Sequence, residues 1–380
     1  TTRQLLHGST ILEVPASGGS GNVSNWGSTQ IFDINNDIDC LGDMYLEIAM
    51  DCEDTTFHNY KFKPQELASF INRVEFQVGT QIWQTLEYQD IMGLAATEMS
   101  EGVYREFSHQ TSGRYTSNGN VIIGTYANAE ITDSAEASAR VAYIPLKMFT
   151  KSIAPELQHY SEKTESGYLM AAAPNQQVKI KVYTAPENKT TAYTQGNVAL
   201  DLSLNIRLFA KNIVMCNEER EQMKAMPLGI PKRIKTTQNA NTNIGASGTQ
   251  LIDIDHFSLY ASHLLITFPK TIYELVDGVE LLLNSSSFSG ELPISLLEII
   301  SSSMNLYNNN YILEGGDADQ FDTIVFPLAS RAYSGSSVPL NRFDNIRLKI
   351  RHKAASAVGQ FNVTCVGETT ALYKGGAASL

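Results

Sequence analysis

The side chains best suited to metal ligation or general-base chemistry are seven histidines: His7, His58, His109, His159, His256, His263 and His352. A zinc or copper site needs ligands at converging spacings such as H-x-H or H-E-x-x-H. None of the seven forms such a pair, so surface or loop histidines are expected. Cys40, Cys52, Cys216 and Cys365 contain no C-x-x-C and read as reduced, structural thiols. The Ser/Gly turn SGSSV (334–338) lacks the G-x-S-x-G of a nucleophile elbow. GGSG (18–21) has no following helix to cradle a phosphate, and the acidic EGGDADQFD (314–322) does not follow an EF-hand loop. The paired carboxylates Asp37 and Asp39, and Glu218 and Glu219, are expected in solvated loops. Arg342 and Asp344 precede a strand. They read as a structural device, an Asp accepting backbone N–H groups beside an Arg bridging loops or subunits. The expected tally is no catalytic residue, no cofactor and no metal.

Charge narrows the partners. Net charge is −12, and the one short basic run is PKRIK (231–235). Holding nucleic acid needs a basic stripe, so PKRIK is expected to be a solvated linker, with no direct nucleic-acid binding. No run approaches the ~18–20 apolar residues of a transmembrane helix. The first residues, TTRQLLHGST, have no apolar signal core, which predicts synthesis in a cytosol. Four N-x-S/T sequons, at Asn22, Asn188, Asn284 and Asn362, leave glycosylation open.

The elements that would position these groups are short alternating strands between long polar loops. Examples are GDMYLEIAM (42–50), NRVEFQV (72–78), QVKIKVYT (177–184) and LDLSLNIRLFA (200–210). Helical windows are few: 86–100, and NEEREQMKAM (217–226), with Asn217 able to cap and Pro227 to stop it.

Internal repetition is the strongest signal. TQIFDI (29–34) returns as TQLIDI (249–254), and GDMYLEIAM as SHLLITFPK (262–270), both at an offset of 220. RVEFQV (73–78) meets GVELLL (278–283), and EYQDIMGL (87–94) meets LPISLLEI (292–299), at 205. YIPLKM (143–148) meets VFPLAS (325–330) at 182. VKIKVYT (178–184) meets IRLKIRH (346–352) at 168, and LNIRLFA (204–210) meets FNVTCVG (361–367) at 157. The order is kept and the offset only falls, so the first copy carries insertions, placed at 51–65, 101–140, 150–176 and 185–199. Surface loops absorb insertions that a ladder cannot. The reading is an N-terminal arm (1–28), one all-β unit (29–210), a helix and linker (211–248), and a second unit with a C-terminal tail (249–380). In the second copy, Ser295 and Glu298 have capping-box spacing. Many strands without βαβ alternation give a sandwich or barrel.

At this point the residues resemble a family. FDINNDIDCLGDMYLEI (32–48), NRVEFQVGTQIWQTLEYQDIMGL (72–94), YIPLKMF (143–149), IVMCNEEREQM (213–223), DTIVFPLASRAYSGSSVPLNRFDNIRLKI (322–350) and the tail TALYKGGAASL follow one another in order. They are similar to the major capsid proteins of nucleocytoplasmic large DNA viruses, polinton-like viruses and virophages. The resemblance implies an all-β double jelly roll: two tandem eight-stranded barrels with a few short helices. It implies pseudo-hexagonal homotrimers that tile an icosahedral double-stranded DNA virion after assembly in host cytoplasm. Partners would be neighbouring capsomers and minor capsid, penton or membrane-associated proteins. The arm would lie on the inner side, and the loops at 101–140 and 150–176 on the outer crown or at subunit contacts. The readings weighed against it are a carbohydrate-binding spike or lectin, thinly supported by Trp26 and Trp83, and a tandem jelly-roll enzyme.

Overall fold

The computed structural model describes residues 8–20, 26–34, 37–52, 65–111, 116–117, 120–121, 139–148, 167–186, 202–225, 229–245, 248–304, 306–310, 321–330, 332, 337–353 and 359–380. In the first half, β1 (Gly8–Val14), β11 (Leu202–Val214), β4 (Cys40–Cys52) and β9 (Ala139–Leu146) form one sheet in that order. Facing it are β2 (Ala16–Ser20), β3 (Thr29–Ile34), β10 (Val178–Thr184), β5 (Ile71–Val78) and β6 (Gln81–Glu87). A small ribbon pairs β7 (Thr116–Ser117) with β8 (Asn120–Val121). Helices α1 (Glu66–Ser69), α2 (Tyr88–Glu98) and α3 (Glu101–Thr111) belong to this half, and α4 (Asn217–Ala225) follows it.

The second half repeats the plan. One sheet runs β12 (Ile230–Ile244), β21 (Gly359–Lys374), β14 (Tyr260–Pro269), β18 (Phe321–Pro327), with β19 (Val338–Pro339) and β22 (Ala377–Ser379) at its margins. The other runs β13 (Gly248–Asp253), β20 (Ile346–His352), β15 (Val276–Leu283), β16 (Ser286–Ser287), with β17 (Leu292–Pro293) also on β15. Helices α5 (Lys270–Tyr273) and α6 (Ile294–Ser303) complete it. Each half is a pair of facing antiparallel sheets, open at the edges rather than closed into a barrel.

Register tests the repeat residue by residue. Ile180 lies between Phe32 and Phe76. Leu348 lies between Ile252 and Leu281, the positions that the offsets 168, 220 and 205 give. One offset is corrected. Ile48 sits between Ile206 and Ala142, and Ile266 sits between Val363 and Ile324. The counterpart of Ile48 is therefore Ile266, two residues before the position that an offset of 220 gives. A slip of two keeps every side chain on its face, so a period-two pattern cannot detect it.

Other expectations change. Residues 8–20 of the expected arm are edge strands: β1 pairs with β11, and β2 pairs with β3. The expected linker contains β12, paired with β21 along its whole length. The expected loop at 101–140 opens with helix α3. Most of the inserted segments, and the acidic run 314–322 before Phe321, lie outside the described residues. The Ser295/Glu298 box does not form: α6 begins behind Pro293, with no side-chain cap bond, and Glu298 accepts the Tyr273 hydroxyl. The reciprocal cap is on α2, where Asp90 accepts the Glu87 N–H at 2.8 Å.

Two cores result. One fills the space between the sheets of the second half, including Ile252, Leu264, Ile266, Phe268, Leu348 and Phe361. The other fills the first half, continues onto the outer face of the β12-β21-β14-β18 sheet through Leu265, Val325 and Val366, and also takes in Ile234 and Tyr373.

Candidate functional site: the seam between the halves

The residues singled out for chemistry disperse in the fold. His256 is exposed, with a ring nitrogen 3.0 Å from the Asn239 carbonyl. His352 is buried, its Nδ1 3.1 Å from the Lys353 carbonyl. His7, His58 and His159 lie outside the described residues, as does the side chain of His109. Among the described residues, no group of three or more His, Cys, Asp or Glu side chains could hold a metal ion. Cys40 and Cys365 are buried, and burial pushes the Cys365 thiol up; Cys216 is exposed. Asp39 is not a solvated loop carboxylate. It is buried, accepts the Met215 N–H at 2.8 Å and holds Arg220 of α4 through two 2.6 Å contacts. Asn362 is fully buried and Asn284 exposed, so of these two sequons only Asn284 is open to a glycosyl transferase in the folded chain; Asn22 and Asn188 lie outside the described residues.

Arg342 and Asp344 are both exposed, at and just after a 3-10 turn (Leu340–Arg342). The expected role of the Asp344 carboxylate falls to two other residues. Asn284 Oδ1 accepts the N–H groups of Asp344 and Asn345 at 3.0 and 3.1 Å, and Asp255 accepts the N–H of Ile346. Asn284 reaches them from a left-handed conformation (φ 49°), which Asn tolerates.

What the fold brings together is a polar seam. Helix α2, YQDIMGLAATE, is buried from Asp90 to Glu98. It lies on the outer face of the second half's β12-β21-β14-β18 sheet. A Cβ at Gly93 would sit 2.6 Å from Thr267 Oγ1, so the helix approaches this closely only with glycine there. Asp90 is fully enclosed and accepts four donors: the Glu87 N–H, Asn239 Nδ2 at 2.7 Å, Asn362 Nδ2 at 2.5 Å and the Thr364 hydroxyl. Burial pushes its carboxyl up, and the four hydrogen bonds oppose that shift.

About two turns beyond, Lys235 Nζ meets both oxygens of Glu98 at 2.5 and 2.7 Å, with both side chains 0% exposed. Burial lowers the Lys235 ammonium, and Glu98 opposes the shift. The PKRIK run therefore lies in strand β12, with Ile234 and Lys235 buried, and is not a solvated linker. His263 lies in the same layer, its Nδ1 2.6 Å from Ser262 Oγ; burial first and Lys235 second depress it to about 3, so it is neutral. The C-terminal end of α2 is closed from the second half: Asn309 Nδ2 donates to the carbonyls of Ala96 and Met99, at 2.9 and 2.8 Å. At the far end of the chain, Ala378 is clasped by both amide atoms of Gln176, and Tyr373 packs edge-on to Tyr168 at 5.5 Å.

A seam with this many satisfied buried groups has one relative placement of the halves, because a shift would strand charges in an apolar layer. Its buried groups bind one another across the seam and fasten the two units together.

No protein-family model matches the chain, and no curated protein does. Solved structures do. PBCV-1 VP54, fitted into a reconstruction of the virophage Sputnik, aligns with a TM-score of 0.70 at 13% identity, over 100% of this chain and 98% of that one. The Faustovirus major capsid protein aligns at 0.64 and 10% identity, over 97% and 91%. The STIV MCP aligns at 0.54 and 9% identity, over 96% of each. The property shared at these identities is the fold, and the chain is a double jelly roll along its whole length.

Proposed function

We propose that the chain is a viral major capsid protein, a structural tile and not an enzyme. The observation that carries this reading is a two-unit fold, fastened by a buried polar seam, that superposes end to end on capsid proteins. The tiles would be homotrimers, with the units 29–210 and 249–380 (extended by β1, β2 and β12) presenting six similar bodies and a nearly hexagonal outline. Such tiles pack into facets through one repeated contact.

The exposed surfaces support self-association. Within the chain, α2 covers the outer face of the β12-β21-β14-β18 sheet. Its repeat counterpart α6 carries Leu296 and Ile299, which are 41% and 70% exposed. The counterpart of the covered face, on β1-β11-β4-β9, leaves Ile11, Val141 and Tyr143 exposed. Repeating the internal relation between copies sets α6 of one copy on that face of the next. Such interfaces commonly bury about 2,000 Å² or more. The further partners would be neighbouring capsomers and minor capsid, penton or membrane-associated proteins, and the location the virion shell. An acidic shell protein need not grip DNA. Electron images of the purified chain in negative stain are expected to show hexagonal outlines; irregular or single-unit particles would overturn the reading.

A further inference from the structure

The repeat is broken at one sheet edge. In the first half, β3 is covered on its outer side by β2, with Ala16 opposite Phe32, Gly18 opposite Ile31, Gly19 opposite Gln30 and Ser20 opposite Thr29. In the second half, β13 ends the order β13-β20-β15-β16, and no described strand lies beyond it. The two edges are otherwise alike. TQIFDI and TQLIDI differ only at their third and fourth residues. Their exposure differs as a covered and an open edge should. Thr29, Ile31 and Asp33 are half-buried, while Thr249, Leu251 and Asp253 are exposed, Leu251 by 54%.

No described residue of the chain supplies the missing strand. β12 pairs with β21 until Ile244, and Gln250 then fastens the turn into β13, accepting the Gly245 N–H at 2.8 Å and donating to the Asn243 carbonyl at 2.6 Å. The edge contains no proline and no bulge, two of the usual shields against pairing. Its one ion pair, Arg347–Asp253 at 2.7 Å, points across to β20 and leaves the other side open.

We propose that β13 accepts an extended, glycine- and serine-rich segment of a separate polypeptide as an added antiparallel strand. Backbone hydrogen bonds along a sheet edge give such a complex its affinity, and side-chain fit gives its specificity. The fit is read from β2. A Cβ at Gly19 would come within 2.6 Å of the Thr29 carbonyl oxygen, so the covering strand must carry glycine there. The counterpart of Thr29 is Thr249, so the guest needs glycine at the same place. A large residue in the guest opposite Leu251 would meet an exposed side chain where β2 has Gly18.

The test uses the full chain in its native assembly, with a synthetic peptide of the sequence LEVPASGGSGN (residues 12–22). Amide hydrogen exchange is followed with increasing peptide. The proposal expects saturable slowing of exchange at 249–253, by about tenfold or more, with 29–34 unchanged. A peptide with proline in place of its Gly18 and Ser20 should have no effect, since each proline removes a backbone donor. Three results would each overturn the proposal. One is no slowing at 249–253 up to about 1 mM peptide, a limit of about 4 kcal/mol of binding. Another is slowing at 29–34, which means that the peptide merely replaces β2. The third is full protection of 249–253 before peptide is added, which would mean that the edge is already covered by a second copy or by another segment of this chain.

Discussion

β4 and β14 hold the same place in the two halves, yet their outer faces meet different surroundings. On β4, Met44, Leu46 and Ile48 point into the core, while Tyr45 and Ala49 are only half-buried. Their register counterparts on β14 alternate between two cores. Leu264 and Ile266 belong to one, Leu265 packs into the other, and His263 and Thr267 are fully buried with it. Arg207 on the first outer face is held by Glu47 at 2.5 Å and stays 44% exposed; its counterpart on the second is Thr364, which binds Asp90 in the seam. Ile11, 63% exposed, corresponds to the fully buried Lys235. The same sheet is thus a finished interface in one half and, among the described residues, an open face in the other, which we propose another copy covers.

That contrast can be broken from either side. The largest effect is expected at the open interface: Leu296→Glu with Ile299→Glu should convert trimers to folded monomers, measured by sedimentation, with little change in monomer melting. At the finished interface, Lys235→Ala should cost about 3–5 kcal/mol by stranding Glu98 in the core. The double change Lys235→Met with Glu98→Leu should recover most of that in chemical denaturation. Asp90→Ala should cost at least about 2 kcal/mol, because Asn239, Asn362 and Thr364 lose their shared acceptor. His263 gives the seam a pH signature. Its folded value, about 3, lies below the unfolded 6.5, so the folded state binds fewer protons between them. Stability should then fall as pH drops from 6.5, by up to about 1.4 kcal/mol per unit, and His263→Gln should flatten that slope. The smallest effect separates two neighbouring residues. Asn284→Ala should cost about 1–2 kcal/mol by freeing two backbone donors, while Asp344→Ala should stay within about 0.5 kcal/mol.

The sheets and their repeat were legible because alternation and order survive in sequence. All seven matched segments occupy corresponding places in the two halves, and only the β4–β14 offset moved, by a shift that preserves facing. The seam was not legible. Lys235 is a lysine in a basic run, and only the packing of α2 over β12 turns it into a buried ion-pair partner. Asp90 and Asn362 are 272 residues apart, and no local pattern ties them. The strand lead-in failed for a similar reason: Asp344 has the right residue type, but Asn284 and Asp255 reach the same N–H groups from other loops. β2 read as part of an arm because its Gly/Ser-rich sequence is a weak strand-former, and the pairing of β1 and β2 is decided by the edges they cover.

The central claim is that the chain is one third of a closed tile. The mass of the purified protein in solution tests it most directly. The account predicts three times 41.8 kDa, persisting on dilution. A stable species of 41.8 kDa, folded and monodisperse at all concentrations, would contradict it.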